Sequence, residues 1–157
     1  GYFARGNRAM LSHSFSKHII NSDQDINLIS NIEILKLRFF KDINRILPTI
    51  RITNLPFRKI FKTKWKGAKT CNLGVWKEDF ININGYNESY IGWGREDSDF
   101  VVRLINNNIF RKEATFSTGL FHLKHKINSR ENFSKNDKLL SETINKKKTY
   151  IKNGYKK

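Results

Sequence analysis

Three acidic residues, Glu96, Asp97 and Asp99, stand within four positions of a chain that has 14 Asp and Glu against 30 Lys and Arg. They closely follow a Gly-Trp-Gly at residues 92–94. An indole ring stacks on the C–H face of a sugar, while carboxylates accept hydrogen bonds from its hydroxyls. A carboxylate placed in this way can also act as a general base on an acceptor hydroxyl. The segment therefore predicts a saccharide site.

The same acids have a simpler interpretation as residues that stabilise the start of a helix. Each carboxylate in a first helical turn is stabilised by about 0.3–1 kcal/mol through the helix dipole. A helix is expected here, because apolar residues recur at helical spacing between Phe100 and Ile105. The neighbouring Trp93 favours the saccharide site, since helix capping needs no indole. Both interpretations remain open on the sequence.

Two histidines, His122 and His125, form a second candidate site. Neutral imidazole is a good ligand for manganese or zinc, and both rings reach one ion if the segment turns. Lys124 and Lys126 flank the second histidine. An exposed basic patch is therefore the alternative interpretation.

Two further features carry weaker signals. The Asp-x-Asp at residues 23–25 has the spacing with which two carboxylates hold a divalent ion on a diphosphate. It directly precedes a helical pattern, and helix capping explains it better. Cys71 is the one cysteine, which excludes an internal disulfide and a Cys-based zinc site. We expect it to be a small core residue.

Several elements must position these side chains. Apolar residues recur at helical spacing from Ile26 to Ile46 and end at Pro48, which predicts one or two amphipathic helices. From residue 129 the polar, lysine-rich sequence predicts a surface helix that frays. The patterns around the acids predict, in chain order, a strand at 70–75, a helix at 76–83 closed by Asn84-Gly85, a helix that opens on the acids and ends at 106–108, and a strand at 109–117.

Length and charge bound the class of protein. A chain of 157 residues suits one domain with a modest core. The net charge of +16 predicts an anionic partner: nucleic acid, an anionic lipid surface or a phosphate-bearing substrate. We expect no nucleic acid, because the lysines are spread along the chain and the acidic turn would repel phosphate. Residues 51–66 mix aromatic and aliphatic side chains with Arg and Lys, which predicts a membrane-surface contact or, alternatively, a core-facing edge.

Three ordered segments carry a resemblance to a known family. They are residues 72–88, with a Trp-Lys near the start and Asn-Gly-Tyr-Asn-Glu at the end, residues 90–99, with Gly-Trp-Gly-Arg-Glu-Asp-Ser-Asp, and residues 122–126, His-Leu-Lys-His-Lys. Together, residues 66–126 resemble the C-terminal half of inverting GT-A glycosyltransferases. The similarity is to bacterial family 2 enzymes and to the related β-1,4-galactosyltransferase group.

The resemblance implies an α/β fold, the C-terminal portion of a GT-A-like nucleotide-diphospho-sugar transferase with helical additions. It implies a linking segment at 1–65, an acceptor-binding and catalytic core at 66–128, and a polar tail at 129–157. Asp97 would be the catalytic base. The expected acceptor contacts are Trp93, Gly94 and Glu96, and Asp99 would support the site or contact the acceptor. The expected ligands of a divalent metal, usually Mn²⁺, are His125 with His122.

The implied activity is metal-dependent hexosyl transfer with inversion, from a UDP-sugar to a saccharide or lipid-linked saccharide. We expect a role in bacterial capsule or lipopolysaccharide synthesis, in the cytoplasm or peripherally at the inner membrane face. The family's uridine pocket and its metal-binding Asp-x-Asp would lie upstream of Gly1. We therefore expect a fragment without the donor-binding half, weakly active alone. The alternatives are a non-catalytic carbohydrate-binding module and a basic nucleic-acid-binding protein.

Overall fold

The computed structural model describes residues 1–22, 25–52 and 54–156 and shows a mixed α/β protein, which confirms the α/β prediction. The strands are β1 (Tyr2–Arg5), β2 (Asn7–Met10), β3 (Leu73–Gly74), β4 (Phe110–Glu113) and β5 (Gly119–His122). The helices are α1 (His13–Ile20), α2 (Asn31–Phe39), α3 (Lys77–Asn82), α4 (Glu96–Asn106) and α5 (Phe133–Asn145). Short 3₁₀ turns cover Ile26–Leu28, Leu47–Thr49 and Thr70–Asn72.

The chain forms two compact units. The first unit comprises residues 1–5, 57–113 and 127–157, and the second comprises residues 6–56 and 114–126. The expected segments 1–65 and 66–128 each include parts of both units, and 129–157 lies within the first unit. As domains, the three segments stay a prediction. Within the described residues, none of the helices has the length and apolarity that crossing a membrane requires.

The first unit is built on a three-stranded sheet in the order β3-β1-β4. Strand β1 pairs with β3 antiparallel and with β4 parallel. The apolar stripe of α4 packs on this sheet through Phe100, Val101 and Leu104, which are all buried with Phe3 of β1. The core thus holds the helix that carries the acids.

Helix α3 confirms the prediction of a short helix closed by Asn84-Gly85. Both residues have left-handed backbones, with φ of 61° at Asn84 and 68° at Gly85. A Cβ on Gly85 would stand 2.8 Å from the Phe80 ring, so the position needs glycine on both grounds. The buried Asn84 amide donates to the carbonyl of Ile151 at 2.9 Å and to that of Lys156 at 3.1 Å. The turn therefore also anchors the C-terminal residues.

Helix α5 differs from the fraying surface helix expected of the tail. It packs against α4, and Asn136, Leu140 and Thr143 are buried. Two of these three residues are polar, so the buried side carries a weak apolar signal in the sequence. The Asn136 amide N–H groups and the Thr143 hydroxyl find partners in the first unit, which compensates for removing them from water. Asn136 Oδ1 is buried without a partner among the described residues.

The second unit contains the parallel pair β2-β5 and helices α1 and α2. Its core consists of Leu11, Ile34 and Ile43 with partly buried neighbours. Helix α2 begins at a capping box in which Ser30 and Glu33 exchange hydrogen bonds. It ends at Phe39, before Lys41 at φ 62°. The expected helical stretch from Ile26 to Ile46 is therefore much shorter in the structure.

Three further predictions concern the basic aromatic region, the cysteine and the Asp-x-Asp. In the basic aromatic region, Phe57, Ile60 and Phe61 are exposed, so the core-facing alternative is wrong for them. Cys71 is exposed in the Thr70–Asn72 turn, which corrects its assignment to the core. Asp23 and Gln24 of the Asp-x-Asp lie outside the described residues.

Candidate functional site

The acidic turn, residues 91–97, is defined by a run of left-handed backbone. Gly92 has φ 77°, Gly94 has φ 104° and Arg95, the residue before α4, has φ 81°. The Trp93 N–H donates to the carbonyl of Ser129 at 2.9 Å. A Cβ at Gly92 would stand 2.7 Å from that same oxygen. Gly92 is therefore required both by its conformation and by the close approach of another backbone segment.

Helix α5 holds the acidic turn in place. The buried Asn136 donates from its side-chain amide to the carbonyls of Ile91 at 3.1 Å and Gly94 at 3.0 Å. Arg95 forms an ion pair with Asp137 at 2.7 Å. The turn is thus tied to α5 through both its backbone and its first charged side chain.

Trp93 offers part of its indole to solvent, with 38% of the residue exposed. Its ring stacks on Phe133 at a centroid distance of 5.7 Å. The guanidinium of Arg130 lies 4.4 Å from the indole centroid. These contacts orient the ring, and the exposed part remains available to a sugar face.

Asp99 lies beneath the turn, wholly buried. Its carboxylate accepts hydrogen bonds from Arg103 Nε at 2.8 Å, Thr143 Oγ1 at 2.6 Å and Tyr90 Oη at 3.2 Å. Arg103, also wholly buried, donates further to the carbonyls of Ile83 and Gly85. Asp99 was expected to support the site or to contact the acceptor. Burial favours the supporting role, because a ligand cannot reach its carboxylate in this structure.

Asp97 has a different environment from Asp99. It is partly exposed, and its Oδ1 accepts from the backbone N–H of Thr70 at 3.3 Å and from the Thr70 hydroxyl. The residue before the helix, Arg95, makes no side-chain capping bond. The hydrogen bonds of Asp97 and Asp99 thus go to side chains and to another segment, which weighs against capping as the full account of the cluster.

Glu96 completes the exposed side of the turn. The residue is partly exposed, while its Oε2 is buried and has no hydrogen-bond partner among the described residues. A buried acceptor without a donor costs free energy, about 1–3 kcal/mol for a typical group. A water could remove that cost. Because Oε2 itself is buried, only the exposed part of the Glu96 side chain is within reach of a ligand hydroxyl.

Two tyrosines adjoin the acids. Burial raises the pKa of Tyr86, and the nearby negative charges of Asp97 and Glu96 raise it further. Burial and the Asp99 carboxylate likewise raise the pKa of Tyr90 strongly. Both phenols therefore stay protonated and act as donors at neutral pH. The Tyr86 ring stacks on Phe100 at 4.4 Å between centroids, which fixes it against α4.

The structure thus brings Trp93, Gly94, Glu96 and Asp97 together in one turn. The sequence analysis missed the residues that support it, which are Thr70, Tyr86, Tyr90, Arg103, Asn136 and Thr143. One signal was available for Arg103, since it follows Asp99 by four residues, the spacing of an ion pair along a helix. Thr70, Asn136 and Thr143 gave none, because only the folded chain brings them to the turn.

The two histidines lie in the second unit. Their ring centroids are 5.3 Å apart. His122 Nδ1 lies 2.9 Å from the Leu123 carbonyl oxygen, and His125 Nδ1 lies 2.9 Å from that of Lys126. A carbonyl oxygen only accepts, so each Nδ1–H is the donor, and in the neutral form of the ring Nε2 would present a lone pair.

Two imidazole nitrogens suit Mn²⁺ as ligands, yet a protein-bound cation of this kind ordinarily takes more donors. Among the residues that the structure describes, no group of three or more His, Cys, Asp or Glu side chains could hold a metal ion. His122 and His125 therefore supply two ligands and do not form a metal centre by themselves. Metal dependence stays a prediction.

Comparison with known proteins gives one match. Residues 57–126 match the family model described as the N-terminal domain of galactosyltransferase. Searches of curated proteins and of solved structures found no match. The matched range includes all of residues 66–126, over which the sequence motifs indicated the resemblance, and with them every predicted site residue. Residues 57–126 are therefore similar to a galactosyltransferase domain, which supports a glycosyltransferase of that kind.

Proposed function

We propose that this protein transfers a sugar from a UDP-sugar to a saccharide acceptor with inversion, and that Asp97 is the catalytic base. The observation that carries the proposal is the partly exposed Asp97 carboxylate. Thr70 orients this carboxylate, which lies in the same turn as the partly exposed indole of Trp93. Both residues fall within 57–126, the residues that match the galactosyltransferase family model.

The chemistry follows from that carboxylate. Asp97 takes the proton of the acceptor hydroxyl as its oxygen bonds to the anomeric carbon of the donor. The bond between that carbon and the UDP oxygen breaks, and its electron pair leaves with UDP. Attack on the side opposite the leaving group inverts the configuration. Thr70 holds one oxygen of the carboxylate, which sets the direction of the other.

The remaining residues of the turn would bind the acceptor. The exposed part of Trp93 would stack on a sugar face, and the adjacent Gly94 would be a further contact with the sugar. Glu96, which is partly exposed, would accept a sugar hydroxyl through the accessible part of its side chain. Tyr86 would add a donor, because its phenol stays protonated.

The proposal extends to metal and fold. His125, with His122, would contribute to holding Mn²⁺, which neutralises charge on a leaving diphosphate when it is bound. The further ligands are not among the described residues, so no step of the chemistry above depends on it. The mixed α/β arrangement would be a portion of a GT-A-like fold.

The proposed setting is the synthesis of bacterial capsule or lipopolysaccharide at the cytoplasmic face of the inner membrane. The charge of +16 suits both an anionic nucleotide-sugar and an anionic lipid surface carrying a lipid-linked acceptor. The exposed Phe57, Ile60 and Phe61 stand among basic residues of the 51–66 region and fit such a surface. The acidic turn would repel a nucleic-acid backbone, so no nucleic acid is proposed as partner.

A carbohydrate-binding module without catalysis is the second candidate. Trp93 and Glu96 can bind a sugar without any donor, and that observation favours it. The two functions differ in what they require of Asp97, since a transferase needs its basicity and a binding module needs at most its hydrogen bonds.

The test is Asp97→Asn, measured by UDP release with a panel of UDP-sugars and saccharides in the presence of Mn²⁺, together with acceptor affinity. For the transferase we expect kcat to fall by about 10²–10⁴-fold, with acceptor affinity within about twofold. The control is Asp79→Asn, another partly exposed acid in a first helical turn, which should leave both quantities unchanged.

Acceptor binding without UDP release by the wild type, with only affinity altered in Asp97→Asn, would favour the binding module. The rate of UDP release by the wild-type 157-residue chain also tests the expectation that this chain alone turns over weakly.

A further inference from the structure

Helix α2 is apolar on two opposite sides. Ile34 is buried, and Leu37 packs beside it against the core of the second unit. Ile32, Leu35 and Phe39 are 68%, 58% and 81% exposed. At 3.6 residues per turn these three side chains fall within an arc of about 60°. They form one continuous stripe, here called the α2 outer face, rather than isolated surface residues.

Cations flank the α2 outer face on both sides. Around the helix axis, Lys36 lies about 40° beyond Ile32, and Arg38 lies about 60° beyond Leu35 on the other side. Both are exposed. The one acid of the helix, Glu33, bonds to the Ser30 backbone N–H at 2.8 Å and so serves the N-terminal cap. The stripe is therefore bordered by positive charge.

The apolar surface continues beyond the helix. Phe40 is exposed next to Phe39, with the two rings edge to face at 5.3 Å. A cleft of about 510 Å³ runs from Leu35 to Ile50 and Arg51. The surface thus has aromatic rings at one end, an apolar cleft at the other and cations along its border.

We propose that the α2 outer face is a docking surface for an anionic lipid bilayer. In this arrangement Ile32, Leu35 and Phe39 enter the boundary between headgroups and acyl chains, and Lys36 and Arg38 meet the anionic headgroups. A second copy of the chain fits less well, because each copy would bring a charge of +16. The inference deepens the proposed membrane location and adds a surface outside the 51–66 region.

The experiment uses sedimentation with two kinds of vesicle, phosphatidylcholine alone and an equal mixture of phosphatidylcholine and phosphatidylglycerol. We expect the full chain to bind the mixed vesicles, and added salt to weaken that binding. The double variant Leu35→Gln with Phe39→Gln keeps the charge and should lower the partition coefficient by about tenfold or more. The control Ile20→Gln, an exposed apolar residue of α1 in the same unit, should stay within about twofold of wild type.

A second measurement does not depend on a loss of binding. Phe39→Trp should place an indole in the bilayer, so brominated lipid should quench the added fluorescence, whereas Ile20→Trp should show no such quenching. Equal quenching of the two variants would overturn the proposal.

The proposal would also be overturned by a double variant that binds like wild type, or by equal binding to neutral vesicles. A dimer that the double variant abolishes, without vesicle binding, would assign the surface to a second copy. Failure here is separable from failure of the proposed function. Asp97→Asn should bind vesicles like wild type, and the α2 double variant should release UDP normally with a water-soluble acceptor.

Discussion

Asp97 and Asp99 lie two residues apart at the start of α4, yet they face opposite environments. Asp99 is wholly buried with Arg103, Thr143 and Tyr90, whereas Asp97 is partly exposed and bonds to Thr70. Residues at this spacing point about 200° apart around a helix, so the two acids cannot serve one surface. The cluster therefore divides into a buried support and an exposed face.

The difference shows how the turn keeps a carboxylate available. A buried charge is stable only when paired and hydrogen-bonded, and Asp99 has three donors. Those donors also tie α4 to α5 and to the Asn84-Gly85 turn. The exposed face can then carry Asp97, and Glu96 is partly exposed beside it. Variants on the two sides should accordingly affect different properties.

The largest expected effect comes from the buried side. Arg103→Ala leaves the Asp99 carboxylate buried without its cation and removes two bonds to backbone carbonyls. We expect the free energy of unfolding, measured by urea titration, to fall by about 3–5 kcal/mol. Lys146→Ala breaks an exposed ion pair with Glu142 and should cost about 0–1 kcal/mol. Equal losses in the two variants would contradict the supporting role of Asp99.

The next prediction compares two glycines with nearly the same backbone. Gly92 has φ 77° and Gly67 has φ 78°, but only at Gly92 would an added Cβ meet another backbone atom. Gly67→Ala should cost about 1–2 kcal/mol for its left-handed conformation. Gly92→Ala should cost at least about 1 kcal/mol more, because of the Ser129 contact. Thermal unfolding of both variants measures the difference. Equal costs would show that the backbone near Gly92 can shift to accommodate the added Cβ without further loss of stability.

Two threonines separate stability from activity. Thr143→Val removes a donor from buried Asp99 and should lower the free energy of unfolding by about 1–3 kcal/mol. Thr70→Val removes the hydroxyl donor and leaves Asp97 only the backbone N–H at 3.3 Å, which should lower kcat by roughly tenfold with a stability loss under about 1 kcal/mol. Urea titration and UDP release should therefore rank the two variants in opposite orders. The same order in both assays would mean that the two sides of the turn are not independent.

The smallest effect concerns pH. Because burial and Asp99 raise the pKa of Tyr90 in the folded protein, the unfolded chain ionises first, near pH 10. Stability is therefore full below about pH 10 and falls above it. Tyr90→Phe has no phenol to ionise, so its stability does not fall in this way. The difference in free energy of unfolding between wild type and this variant should therefore shrink by up to about 0.8 kcal/mol between about pH 9 and about pH 10.5. A constant deficit in urea titrations across that range would show that Tyr90 ionises freely when folded.

Much of the site's local structure follows from the sequence, because it depends on neighbours in the chain. The start of α4 at Glu96 and the closure of α3 at Asn84-Gly85 come from apolar periodicity and from glycine. The i, i+4 spacing of Asp99 and Arg103 also indicates their ion pair. The opposite placement of Asp97 and Asp99 could have been predicted from the helical period alone.

The contributions of distant residues could not be predicted in this way. Helix α5 uses the polar Asn136 and Thr143 on its buried side, so its sequence resembles that of a solvated helix. Helix α2 has apolar residues on both sides, which blurs the periodicity and made the expected helix too long. Cys71 was assigned to the core by residue type, whereas the Thr70–Asn72 turn exposes it.

The ties between the acidic turn and α5 set the order in which the site matures during translation. The turn is synthesised before Ser129, Asn136 and Thr143, so until these residues follow, its backbone and Asp99 lack these partners. The carboxylate of Asp97 is therefore present in the nascent chain well before its surroundings are fixed. A chain that ended before Phe133 would have every predicted catalytic side chain and no rigid turn to hold them.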